Sequence, residues 1–404
     1  MNLPTLRTLS ALVGATSLLL AACSSSTSDA PAAGPATSAD AGADDATTGD
    51  DATADAASAD PLSWPVDARG PFSCGYRVLH ASYVPPGDTA TRTIEVHVWY
   101  PTDQPAGAHP KYIHLFDDPD AWTDAPVAPS AYAAGMPVLV HSHGYKGFAG
   151  NSSELMCYAA SHGWLAVAPE HLGNALMDTP KTLPLVLYAE RPLDVRAALD
   201  LVAALPSGDP LAGKADMTHV AMSGHSFGTY TSWAIAGSTY DKAKLQADCD
   251  SGAIADCRPE VLAAFDGDLS DARPQVAVAM AGGLSAYFGV AGASTAKVPV
   301  LLMSGSLNDI GGQAIFDGIT GVDLTWVDVQ GGCHQLFGLG NTSPPDGPEC
   351  AVLPDADGFA IADTWLLAYL RYHVLADRGA KVAGIVDGSI SASPLVTRKA
   401  KTKN

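Results

Sequence analysis

The sequence predicts an α/β fold: a mostly parallel central sheet with helices on both faces. Two observations predict it. Between Met136 and Gln330 short apolar runs recur, namely MPVLVHSH, GWLAVAPE, HVAMSG, QVAVAMAG, VPVLLMSG and DLTWVDVQ. Runs of this length and composition read as strands buried on both sides. Helix-compatible segments lie between and after them: SSELMCYAASHG, RPLDVRAALDLVAAL, SFGTYTSWAIAG and FAIADTWLLAYLRYHVLAD. Alternation of the two patterns implies parallel strands joined by covering helices. A third observation is local: one strand run stops at Gly-His-Ser-Phe-Gly, Gly224–Gly228, and a helical pattern follows at once.

Ahead of these units, GYRVLHASYV (Gly75–Val84) and TRTIEVHVWYP (Thr91–Pro101) read as a β-hairpin turned by PPGD. Residues 102–135 are rich in Pro and Asp and read as a surface excursion. The Asp-rich segment 240–274 interrupts the alternation after the Ser226 helix, either as a cap over a site or as an excursion pinned by a disulfide.

The ends do not read as fold. Residues 1–23 carry one basic residue, an apolar stretch and small residues before a cysteine, the layout of an export signal. Leu20-Ala21-Ala22-Cys23 resembles the lipobox of bacterial lipoproteins, which implies lipidation at Cys23. Ser24 resembles lipoproteins sorted to an outer membrane, giving a periplasmic or cell-surface location. Residues 24–61 contain no large apolar side chain and read as a flexible acidic tether. The folded domain is expected over 62–390, and the basic tail 391–404 as a solvated end.

The formal charge is −21 over 404 residues, and the body of the chain lacks the clustered Lys and Arg that phosphate contacts need. Nucleic acid is therefore excluded as an expected partner. With Cys23 set aside, six cysteines remain, an even number in an exported chain. Locality favours Cys249–Cys257 and Cys333–Cys350, which leaves Cys74–Cys157.

A strand, a Gly-x-Ser-x-Gly turn and a helix form a nucleophile elbow: a strained corner raises the serine hydroxyl at the carboxyl edge of the sheet. Ser226 is the nucleophile so placed. A serine hydroxyl needs a base to take its proton, and the base needs a carboxylate to hold its tautomer. In chain order, VPVLLMSGSLNDI offers Asp309 after one strand and DLTWVDVQGGCHQLF offers His334 after the next. Asn308 competes for the acid slot but is neutral; Asp266 and Asp268 are the next carboxylates to consider. The oxyanion of the intermediate needs two N–H donors, expected from Phe227 and from Tyr145 in the loop HSHGYKG, where Gly144 permits close approach.

Other conspicuous residues take plainer readings. His141 and His143 lack a third partner and do not read as a metal site. DGDLSD lacks the later ligands of a calcium loop and reads as a turn. Arg191, Asp194 and Arg196 read as ion-pairing and capping groups at a helix start.

HSHGYKGFAGNSSELMCYAASHGWLAVAPEH, RPLDVRAALDLV, GHSFG and GGCHQLF together resemble the platelet-activating-factor acetylhydrolase and dienelactone-hydrolase-like branch of the α/β-hydrolases. The acid turn and HGY region are similar to cutinase-like polyester hydrolases. The acetylhydrolases carry their acid where this chain has AMAGGLS, so the cutinase-like placement, one strand later, is the one that fits Asp309. Dienelactone hydrolases use cysteine at the elbow, where this chain has Ser226. The resemblance implies a serine hydrolase that cleaves small or polymeric carboxylic esters through an acyl-enzyme, without cofactor or metal. The chain is expected to act as a monomer held to a membrane by its lipid. The rival readings are a polyester depolymerase or transacylase on the same triad, and a non-catalytic binding lipoprotein.

Overall fold

The computed structural model describes residues 60–403. The signal segment 1–23, Cys23 and residues 24–59 of the tether lie outside them. At the tether's expected end, Asp60 caps a single 3₁₀ turn, Pro61–Ser63, its carboxylate accepting the Leu62 N–H at 3.0 Å.

Twelve strands occur among the described residues: β1 (Ser73–Tyr83), β2 (Arg92–Thr102), β3 (Lys111–Tyr112), β4 (Phe116–Asp117), β5 (Ala121–Thr123), β6 (Met136–Ser142), β7 (Leu165–Pro169), β8 (Ala215–His225), β9 (Pro274–Met280), β10 (Val300–Gly305), β11 (Leu324–Val329) and β12 (Val396–Lys401). The helices are α1 (Ser153–Ser161), α2 (Val186–Ala203), α3 (Gly228–Ile235), α4 (Lys242–Ser251), α5 (Pro259–Ala264), α6 (Gly289–Ala293), α7 (Gly312–Gly318), α8 (Asp355–Val374) and α9 (Ala380–Asp387). Ten strands form one sheet in the order β12-β11-β10-β9-β8-β6-β7-β2-β1-β5. From β7 through β11 every neighbouring pair is parallel.

Parallel strands joined by crossovers are covered on both faces, and side chains alternate between the two. Leu139, Ala221, Val278 and Leu301 share one hydrophobic cluster with Leu155 and Met156 of α1 and Trp365 and Leu366 of α8. Their neighbours Val138, Val140, Val220 and Met222 face the other way, against Val195, Leu199 and Val202 of α2. Farther along that second face, Ala277, Ala279 and Leu302 pack on Trp233 of α3.

The chain leaves β6 toward β7 on one side and later returns to β8 on the other. Such a reversal opens a crevice at the carboxyl ends of the strands, where ligands of open α/β sheets collect. The loop after β6 and the turn after β8 both end in this crevice.

All three disulfides have the expected partners: Cys74–Cys157, Cys249–Cys257 and Cys333–Cys350, with Cα separations of 5.3, 5.8 and 5.8 Å. Their presence suggests an extracellular or periplasmic protein. No helix among the described residues is long and apolar enough to cross a membrane.

Three expectations are corrected. The tail 391–404 is not simply solvated: β12 pairs antiparallel with β11, Leu324 opposite Lys401. Lys399 and Lys401 lay their ammonium groups 5.0 and 4.7 Å from the rings of Trp326 and Phe316. Backbone pairing and cation–π contact hold the tail in place. The excursion 102–135 returns to the sheet, where β5 adds to β1 in parallel. Arg191 and Asp194 do not stand at a helix start, because α2 begins at Val186 and buries both.

Segment 240–274 forms α4 and α5, bridged by Cys249–Cys257. Leu245, Val261 and Phe265 pack on Leu185, Val186 and Ala189 at the start of α2.

Candidate active site

β8 runs apolar to His225 and then breaks. Ser226 takes φ of 57°, a left-handed conformation costly for a residue with a Cβ. It is held there by its N–H, which donates to the Met280 carbonyl of the next strand at 2.8 Å. The two glycines of GHSFG are required by close approach. A Cβ on Gly224 would lie 2.2 Å from the Gly228 carbonyl oxygen, and one on Gly228 would lie 1.9 Å from the Ser142 carbonyl oxygen. Strand, turn and helix can meet this tightly only without those side chains.

His334 opens a 3₁₀ turn, His334–Phe337, after β11. Its Nε2 lies 2.8 Å from Ser226 Oγ, so the serine hydroxyl can donate to it. Three contacts hold the segment. The Cys333 N–H donates to Asn341 Oδ1 at 2.6 Å, and the Gln335 N–H donates to Asp346 Oδ2 at 2.6 Å. The His225 Nε2–H donates to the His334 carbonyl at 2.8 Å, with the two imidazole rings 4.9 Å apart. Burial lowers the His334 pKa below its ordinary value of 6.5, and the Asp346 charge opposes that shift.

Sequence reading missed Asn341, Asp346 and His225. Only the short spacing NTSPPDGPEC between the paired cysteines hinted at a built loop. The Cys333–Cys350 bridge closes it, and its removal in a Cys333→Ala/Cys350→Ala variant is expected to cost about 3 kcal/mol in the chain-entropy view. Equilibrium urea unfolding checks the value. Ester turnover should fall below what that stability loss explains, because the bridge fastens the His334 turn.

Asp309 is not joined to His334. Its carboxylate accepts the Gly311 N–H at 2.8 Å, as Asp does in a turn. Among the described residues no carboxylate oxygen lies within 4.0 Å of a His334 ring nitrogen. Asn308 reaches toward the Ala281 carbonyl at 3.4 Å. The reserve candidates Asp266 and Asp268 are engaged elsewhere, by Lys242 and Lys297.

After β6, the loop carrying Tyr145 packs on the elbow: a Cβ on Gly144 would sit 2.9 Å from Ser226 Cβ. Neither the Tyr145 nor the Phe227 N–H is taken by an acceptor among the described residues. His143 stiffens the loop. Its Nε2 accepts the His171 N–H at 3.0 Å, which leaves Nδ1 protonated to donate to the Gly144 carbonyl at 2.8 Å. His141 Nδ1 is 2.9 Å from Ser223 Oγ on the neighbouring strand. The one group of ligand-type atoms close enough to share an ion, among the described residues, joins Asp346 to Cys333 and Cys350. Those sulfurs form a disulfide and offer no thiolate.

Ser226 and His334 open onto a cavity of 520 Å³, lined also by Tyr188, Phe227, Tyr230, Gly282, Ser285 and Asp309. No residue of 240–274 lines it. The aromatic wall is fixed through a proline. Pro192 sits inside α2 and has no N–H, which leaves the Tyr188 carbonyl without its helical donor. The Tyr230 hydroxyl donates to that carbonyl at 2.6 Å.

A protein-family model described as Chlorophyllase matches residues 125–251, the stretch from before β6 through α4. No curated protein matches the chain by sequence. Among solved structures the chain is similar to a ferulic acid esterase from Streptomyces cinnamoneus, with a TM-score of 0.57 and 20% identity over 83% of this chain and 98% of that one. The chain has the α/β-hydrolase fold.

Proposed function

We propose that the chain cleaves carboxylic esters through an acyl-enzyme on Ser226. The carrying observation is the 2.8 Å contact between Ser226 Oγ and His334 Nε2 at a strained elbow. His334 takes the hydroxyl proton as Oγ attacks the ester carbonyl, and returns it to the leaving alkoxide. Water, deprotonated by the same imidazole, then releases the acid and restores Ser226. The N–H groups of Tyr145 and Phe227 receive the oxyanion in both halves. Asp309 is proposed as the orienting carboxylate, since among the described residues it is the one carboxylate lining the cavity; the contact requires it to leave the Gly311 N–H. No cofactor enters these steps.

The aromatic wall of Tyr188, Phe227 and Tyr230 favours acyl groups larger than acetyl. A panel of p-nitrophenyl esters from acetate to palmitate, with methyl ferulate beside it, tests both points. Covalent labelling of Ser226 by a fluorophosphonate should accompany turnover, and an unlabelled, inactive protein would leave the non-catalytic reading standing. Adding an alcohol acceptor or a polyester film to the same assay separates hydrolysis of small esters from acyl transfer and depolymerisation. We further propose that Cys23 carries a lipid anchoring a monomer outside the cytoplasm; mass analysis of the N-terminal peptide checks it.

A base must be neutral to act. Because burial lowers the His334 pKa, the acid limb of kcat/KM is expected below 6.5. Asp346 favours the imidazolium, so Asp346→Asn should move the limb to still lower pH. A limb at or above 6.5, or an upward move in the variant, would contradict the assignment.

A further inference from the structure

Beneath the loop after β6 lies a guanidinium that the steps above leave unused. Arg191 is fully buried in α2, and among the described residues no carboxylate oxygen comes within 4.0 Å of it. Asp194, one turn on, is held by Arg92 at 2.9 Å, by the Tyr83 hydroxyl at 2.7 Å and by His171 Nδ1 at 2.9 Å. Removing a cation from water without a paired anion is expensive, and neutral acceptors must compensate.

Those acceptors come from the segments that carry the oxyanion donors. Arg191 Nη2 donates to Ser142 Oγ at 2.9 Å and to the His143 carbonyl, two residues before Tyr145. Nη1 donates to Asn174 Oδ1 at 2.6 Å, and the Asn174 carbonyl in turn accepts the Lys146 N–H at 3.2 Å. Nε donates to Thr231 Oγ1 at 3.0 Å, on the helix that follows Ser226. The guanidinium carbon lies 4.6 Å from the centre of the Phe227 ring. One planar cation thus touches both neighbours of the hole, Tyr145's loop and Phe227 itself.

We propose that Arg191 is the positioning residue of the oxyanion hole, fixing its two N–H donors and supplying a positive charge that is paired with no carboxylate in direct contact and favours the tetrahedral anion. The inference rests on the serine-esterase reading. A fixed charge and fixed dipoles aimed at a developing anion act most strongly where water is excluded. A lysine could not reproduce the arrangement, because it lacks the planar fork.

Asn174→Asp separates this role from mere support. It keeps the acceptor facing Nη1, replaces a side-chain nitrogen that is buried without a partner, and gives Arg191 a counter-ion. A purely structural Arg191 would be held as well or better. Under the proposal the melting temperature stays level or rises, while kcat falls about tenfold, KM holds within about twofold, and affinity for phenylboronic acid falls with kcat. The boronate matters because its serine adduct is itself a tetrahedral anion. Arg191→Met should lower kcat by about 100-fold; if it does not fold, Asn174→Asp decides alone. Unchanged kcat and boronate affinity in folded Asn174→Asp overturn the inference while wild-type turnover and boronate binding preserve the esterase reading. A wild-type protein that neither turns over esters nor binds boronate overturns both.

Discussion

Ser226→Ala abolishes fluorophosphonate labelling and lowers ester turnover by about 10⁶, with the melting temperature almost unchanged. The size follows from how a nucleophile and its base act as a unit: removing the serine alone costs nearly as much as removing the whole set, and a residue of about 10³–10⁴ over water remains from binding and the oxyanion donors. Stability should survive for a local reason. Alanine carries the same Cβ as serine, so the left-handed backbone at 226 costs the same in both, and the N–H bond to Met280 is kept. The lost contact is the one to His334. Steady-state rates and thermal melts on one purified sample check both halves, and near-wild-type turnover would end the acyl-enzyme reading.

Asp309→Asn is expected to lower kcat by up to about 10⁴, whereas Asn308→Ala costs less than about tenfold. When His334 takes the Ser226 proton, the imidazolium needs a negative neighbour, and an amide cannot supply one. Asp309 lines the cavity beside His334, and its hold on the Gly311 N–H is a single exposed hydrogen bond, worth about 0.5–1.5 kcal/mol net. That is a small cost against orienting the base. If folded Asp309→Asn keeps most of its activity, the orienting role passes to Asp346, whose charge already acts on His334.

The elbow and the approach of His334 to Ser226 were legible in the sequence because each is specified locally. GHSFG encodes its own close approaches, and His334 follows a strand and two glycines. The carboxylate was less legible, since an Asp in a turn satisfies itself with the nearest N–H and sequence spacing says nothing about that competition. Arg191 was misread for a related reason. Pro192 looks like the first residue of a helix, which would put Arg191 at an exposed end. In the fold the helix runs through Pro192, and the charge beside it becomes buried. The donor that makes this tolerable, the Tyr230 hydroxyl, is 38 residues away in the chain, as the numbers of Pro192 and Tyr230 show.

The strand formed by Val396–Lys401 bears on how the protein should be handled. Its partner β11 presents Leu324–Val329, an apolar ribbon that would otherwise offer open hydrogen-bonding groups to any passing chain. A gene trimmed at residue 390, on the view that the basic end is dispensable, would therefore yield a sticky preparation rather than a cleaner one.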